Sequence, residues 1–268
     1  MPPPRLVGRS RPSGRLGAKF WLVFCGGLLA LVGLVVVPIY LRASRSKVDG
    51  ATLCPLSGPT AVHAILIDRS DPISPLQTDR LREMINRTIE RMPIGGRIDM
   101  YVADSDGWQA LRPVVSLCNP GRSANPLYQN PGRMHRRYED AFRKPVETAL
   151  ASLMRPSSMA TSPIMESIKA VCVQSFGGLP RAVPLRLTIA SDMVQNSPAL
   201  DQYRRYSFDT FAGGPGLPSV LANCHGASVS VLYFLRPSER QIQGRSHELF
   251  WERFLRRDNA VLMRVEAI

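Results

Sequence analysis

No Gly-x-Ser-x-Gly elbow occurs in this chain, no His-Glu-x-x-His pair and no Gly-x-x-x-x-Gly-Lys loop. Each of those chemistries needs its residues at that spacing. Their absence removes the hydrolase elbow, the helix-borne zinc site and the phosphate-cradling loop. Histidine is scarce as well. His63 lies inside an apolar run and reads as packed core, while His135, His225 and His247 are scattered over basic or loop segments. Asp68 ends an apolar run, as a phosphoryl-accepting aspartate would, but no lysine near a second strand end accompanies it. Zinc spacings, aromatic-interleaved basic motifs and solenoid-length repeats are missing too, so nucleic acid is not an expected partner. The chain is expected not to be an enzyme.

Acid is missing from the first 41 residues, which carry five basic ones (Arg5, Arg9, Arg11, Arg15, Lys19). The net charge is +13, and the rest of the chain is still basic by eight charges. This excess reads as a solvated surface beside a membrane. Residues 1–19, rich in Pro, Gly, Ser and Arg, are expected to be a disordered leader. Residues 20–41 form a run of 22 without a charge, enough for a helix to cross a hydrocarbon core of about 30 Å. Trp21 and Tyr40 stand near its ends, where amphipathic rings prefer the interface. The run is too long for an ordinary signal-peptide core and reads as an uncleaved anchor. Arg42, Arg45 and Lys47 follow it, fewer basic residues than precede it, so the N-terminus is expected inside. The rest then lies outside the cytoplasm, in the periplasm for a Gram-negative source. Cys25 falls in the run, and Cys54, Cys118, Cys172 and Cys224 make an even set. Three pairings are open to four cysteines, and free buried thiols are the alternative, above all for Cys172 on an apolar helix face.

Residues 42–59 read as a linker and 60–268 as one domain. Within the domain, short apolar runs alternate with helical patterns. Ala61–Asp68 reads as a strand, and Ser74, Pro75 and Gln77 mark a helix start with a capping box. Leu81, Ile85, Ile89 and Met92 follow at helical spacing. Further strands are expected over Arg97–Ala103, Val114–Leu117, Val183–Asp192, Val229–Leu235 and Ala260–Val265. Helices are expected over Arg133–Met154 (interrupted near Pro145), after a Ser162-Pro163 cap, and from a Ser246 cap to about Arg257. Alternation of this kind gives an α/β, doubly wound, mostly parallel sheet.

Two strands of that sheet end on a carboxylate, Asp68 and Asp192, and open parallel sheets bind ligands beyond the carboxyl ends of their strands. With the hydroxyls of Ser70 and Thr161 they make an oxygen-only set that suits a hard divalent cation, Mg²⁺ or Mn²⁺. The order Asp68-Arg69-Ser70, then Thr161 before an amphipathic helix, then Ser191-Asp192 resembles the von Willebrand factor A-like (VWA) domain, whose metal-ion-dependent adhesion site uses Asp-x-Ser-x-Ser, Thr and Asp. The pattern's second serine falls on Pro72, Ser74 comes two residues late, and Asp71 is the nearest stand-in. The resemblance covers roughly residues 60–268. It implies six strands in the order 3-2-1-4-5-6 with strand 3 antiparallel. It also implies a metal site at Asp68, Ser70, Thr161 and Asp192 whose open position accepts a partner's carboxylate. The expected function is a membrane-anchored module that binds a protein at the carboxyl edge. The alternative is a metal-free structural subunit of an envelope, secretion or conjugation assembly.

Overall fold

Helix α1, Leu16–Ala43, contains the stretch Phe20–Val37 with a mean hydropathy of 2.7, and the apolar side chains of that stretch are solvent-facing. Its 28 residues reach about 42 Å at 1.5 Å per residue, long and apolar enough to cross a membrane. The computed structural model describes residues 16–43, 47–103, 110–122, 130–154, 161–204 and 206–268. The leader expected over 1–19 falls mostly outside them, and its last four residues already belong to α1.

The chain divides at Lys47, and a second unit runs from Val48 to Ile268. It begins earlier than the expected boundary at residue 60, because the supposed linker is tied down. Val48 bridges Pro55, Leu53 is buried, and Cys54 is disulfide-bonded to Cys118. The second disulfide joins Cys172 to Cys224, so neither pair is the free thiol set held open above.

Six strands build the sheet: β1 Val62–Asp68, β2 Arg97–Ala103, β3 Val115–Cys118, β4 Leu185–Ser191, β5 Ala227–Tyr233 and β6 Ala260–Ala267. Their order is β3-β2-β1-β4-β5-β6, parallel throughout except for β3 against β2. Strand order reverses between β1 and β4, which run side by side with Ile67 opposite Ala190. Asp68 and Asp192 therefore emerge together at the carboxyl edge.

Helices cover both faces. On one lie α2 (Pro75–Arg91), α3 (Pro131–Tyr138) and α4 (Lys144–Leu153), packing Leu81, Ile85, Val146 and Leu150 onto Ile65, Ile98 and Met100. On the other, α5 (Ile164–Val171), α6 (Phe208–Ala212), α7 (Gly216–Val220) and α8 (Arg245–Arg257) pack Ile168, Phe211, Phe250 and Phe254 onto Leu66, Ile189 and Val229. The start of α2 is as expected, with reciprocal Ser74–Gln77 bonds. Two other caps differ. The N-cap of α8 is Gly244 rather than Ser246, and that of α5 is Pro163, neither with a side-chain cap bond. The interruption near Pro145 is a π-turn, Glu139–Arg143, that joins α3 to α4. Proline has no N–H to donate and its ring crowds the carbonyl four residues back, so the ladder widens by one residue just ahead of it.

Candidate functional site

Asp68 closes β1 with its side chain only 5% exposed, and every oxygen of it is engaged. The Ser70 N–H donates to Oδ1 at 2.9 Å. The hydroxyls of Ser162 and Ser191 donate to Oδ2 at 3.1 and 2.8 Å. Asp192, just past β4 and 3% exposed, accepts the Val194 N–H at 2.9 Å. Burial, and next the negative charge of Asp68, push its carboxyl from an ordinary 3.8 up to about 7. The sequence-expected aspartates are thus brought together.

The hydroxyl positions are placed less simply. Ser70 sits on the loop after β1 and reaches Asp68 through its backbone, and Thr161 is half-buried next to Ser162. Among the described residues neither hydroxyl has a hydrogen-bond partner. The hydroxyl that binds Asp68 from this segment is Ser162, freed for it because Pro163 rather than Ser162 takes the N-cap position.

A cation absent from the sequence-level constellation completes the site. Arg236 follows β5, and its Nε lies 3.5 Å from Asp192 Oδ2, with both side chains largely buried. Its Nη1 donates to the Pro72 carbonyl, the position where a second serine was expected. Gln243 fixes this arrangement: Nε2 donates to the Asp192 and Phe234 carbonyls at 3.1 and 2.8 Å, while Oε1 accepts the Arg236 N–H at 2.7 Å. Behind it, the Trp251 indole N–H donates to the Met193 carbonyl at 2.8 Å, and the fully buried His247 lies between Tyr233 (2.6 Å) and Gln202 (3.0 Å). Met193 is held at φ +61, a left-handed conformation that costs a side-chain-bearing residue about 1 kcal/mol. That strain sits directly after Asp192.

The strand order, the lone reversed β3 and the paired aspartates at the switch point are what the resemblance implied. The domain has a von Willebrand factor A-like fold. No protein-family model matches the chain, and no curated protein matches it by sequence. Solved structures similar to this VWA-like chain include an aerotolerance-related membrane protein from Bacteroides fragilis, at 13% identity over 77% of this chain and 92% of that one, with a TM-score of 0.38. The conserved hypothetical protein BatB from Bacteroides thetaiotaomicron is similar at 14% identity, covering 78% and 91%, also at 0.38. The Rpn10 VWA domain is similar at 11% identity, covering 78% and 88%, at 0.37.

The donor set bears directly on the metal that such a fold implies. Among the described residues no three His, Cys, Asp or Glu side chains cluster to hold an ion, so a divalent cation would depend on the Ser70 and Thr161 hydroxyls and on water. Both oxygens of Asp68 already accept protein donors, and Asp192 holds Arg236. The residues therefore fit a divalent ion only with Arg236 withdrawn from Asp192. What the edge has in excess is donors. Of the buried side-chain polar atoms without a hydrogen bond among the described residues, three are N–H donors near this edge: Arg69 Nε, Gln202 Nε2 and Arg236 Nε, the last ion-paired with Asp192 but not hydrogen-bonded to it. A buried donor without an acceptor costs roughly 1–3 kcal/mol.

Proposed function

We propose that this chain is a membrane-anchored, non-enzymatic VWA-like module that receives an oxygen acceptor of a protein partner, a carboxylate, at the carboxyl edge of its sheet. The observation that carries this reading is that Arg69 Nε and Arg236 Nε make no hydrogen bond, the second of them ion-paired with the buried Asp192. An incoming carboxylate would supply the acceptors they lack, and charge-assisted bonds to a guanidinium are strong and directional. The internal guanidinium takes the electrostatic place of a metal, balancing Asp192 without an ion. Mg²⁺ or Mn²⁺ competes with Arg236 for the same carboxylates and enters only when Arg236 leaves.

Anchoring follows from α1, and an extracytoplasmic, periplasmic domain follows from the basic residues that precede it. Two disulfides within the domain favour the same side, because such bonds persist in oxidising compartments. The test is affinity purification of the tagged full-length protein from its own membranes, beside Arg236→Ala and the remote Glu83→Ala. A protein recovered with wild type and Glu83→Ala and lost with Arg236→Ala supports the reading. Equal recovery from all three would overturn it.

A further inference from the structure

Among the described residues of the second unit, no helix covers the β5–β6 half of one sheet face. Parallel strands normally lie between two helical layers and are apolar on both sides. Under α2 the face is apolar, with Ile65, Ile67, Ile98 and Met100, but beyond α2 the same face of β4, β5 and β6 carries Arg186, Thr188, Ser228, Ser230, Arg264 and Glu266. Their neighbours on the opposite face, Leu187, Ile189, Val229 and Val231, are core. The uncovered half is a groove of about 490 Å³, with α2 as one wall and these strands as floor. Along its far rim β6 is the edge of the sheet, exposing Val261 and Met263 by 54% and 65%.

The charge of the groove is one-sided. Among the described residues, Arg80, Arg87, Arg91, Arg186 and Arg264 line it against only Glu83 and Glu266. Both glutamates are already shared: Glu83 by Arg80 and Arg87, Glu266 by Arg80 and Arg264. Arg91 and Arg186 have no carboxylate partner among the described residues. On the floor His63 bonds Thr188 at 2.8 Å, and burial together with the adjacent Arg186 holds it neutral, at about 4. It therefore cannot answer the positive charge, nor add to it.

We infer that this groove is a docking site for an acidic amphipathic helix of a partner protein. The dimensions set the occupant. Three strands about 4.8 Å apart make a floor roughly 10 Å wide, the diameter of one helix, and helices pack 8–10 Å from a neighbour such as α2. The eight residues of β6 run about 26 Å, the length of roughly 17 helical residues. Charge selects the polarity. Acidic residues on the helix flanks meet Arg91 on the wall and Arg186 on the floor, while its apolar stripe covers Met84 and the rim residue Val261.

This surface is lined by neither Asp68, Asp192 nor Arg236, so it can be tested apart from the carboxyl-edge reading. The probe is a fluorescein-labelled 17-residue Glu/Leu amphipathic peptide, titrated by anisotropy against the full-length protein in nanodiscs. Two controls are the Lys/Leu counterpart and a scrambled Glu/Leu sequence of the same composition. Only the acidic amphipathic peptide should bind. Its affinity should fall about tenfold or more, some 1.4 kcal/mol, in Arg91→Glu/Arg186→Glu and stay unchanged in Arg236→Met. Both arginines project from surface positions, and circular dichroism verifies that the variant is folded. Binding of the scrambled or the Lys/Leu peptide with equal affinity overturns the proposal, as does no binding of any peptide at millimolar concentration. Sedimentation of wild type as a dimer that Arg91→Glu/Arg186→Glu dissolves overturns it in favour of a second copy.

Discussion

Replacing Arg236 by methionine keeps most of the side-chain volume and removes the guanidinium from Asp192. The cost depends on whether Asp192 is charged, and this makes the prediction sharp. In the native wild type its carboxyl titrates at about 7 instead of 3.8, burial being the larger cause and Asp68 the next. Between those two values the native state keeps a proton that the unfolded chain has released. Stability therefore falls as pH rises through that window, at about 1.4 kcal/mol per pH unit and by on the order of 4 kcal/mol in all. Above 7 the wild-type group is ionised and the fall ends. Arg236 lowers this pKa, so without it the native group ionises at still higher pH and the variant goes on losing stability.

At pH 5.5 Asp192 is neutral in both proteins. The variant should then lose only the bond to the Pro72 carbonyl, about 1 kcal/mol. From pH 7 upward the difference should widen by about 1.4 kcal/mol per unit. Near pH 8.5 it should approach the 3–5 kcal/mol typical of breaking one side of a buried ion pair. Urea unfolding of residues 48–268, which hold the whole core and both disulfides, at intervals from pH 5.5 to 8.5 measures this directly. A loss that is the same at every pH would refute the reasoning, because Arg236 would then act through packing alone.

Millimolar Mg²⁺ or Mn²⁺ should stabilise Arg236→Met well beyond its effect on wild type, by up to about 2.7 kcal/mol at a hundred times Kd, read as a raised melting temperature, and Asp192→Ala should abolish the gain. An equal shift in wild type would show that Arg236 does not guard the site. Thiol titration of the denatured, unreduced full-length chain should find Cys25 alone, and Cys172→Ala/Cys224→Ala should cost about 4 kcal/mol for a closed loop of 52 residues. Asp258 is fully buried with Oδ2 unpaired, and burial pushes its carboxyl up to about 7. Since its native pKa is raised, stability is lost as pH rises from 3.8 toward 7, so Asp258→Asn should stabilise the domain at pH 8 and change little at pH 4, as read by urea midpoints. A reporter active only outside the cytoplasm, fused at Ile268, should be active, and activity of a cytoplasmic reporter alone would reverse the assigned orientation.

The paired aspartates were legible because each ends an apolar run, and an open parallel sheet brings strand ends to one edge whatever the rest of the chain does. Arg236 was not, because it belongs to no local motif and reaches Asp192 only once β5 is known to lie beside β4. Ser162 was misjudged for a local reason. Ser-Pro looks like a cap followed by a first-turn proline, yet the buried Asp68 carboxylate is a stronger acceptor for that hydroxyl than the helix N–H groups are donors to it. Disulfide pairing is set by which loops the fold brings together, and spacing in the chain carries no trace of that. The uncovered groove, by contrast, left a signal. Arg186-Leu187-Thr188-Ile189 and Ser228-Val229-Ser230-Val231 alternate with a period of two, the pattern of strands buried on one face only. The strand expected over Val229–Leu235 begins after the first of those serines and so leaves out half of the alternation. A doubly wound sheet with two alternating strands is one whose second layer stops short, and in this fold it stops at the far side of α2, where the arginines are.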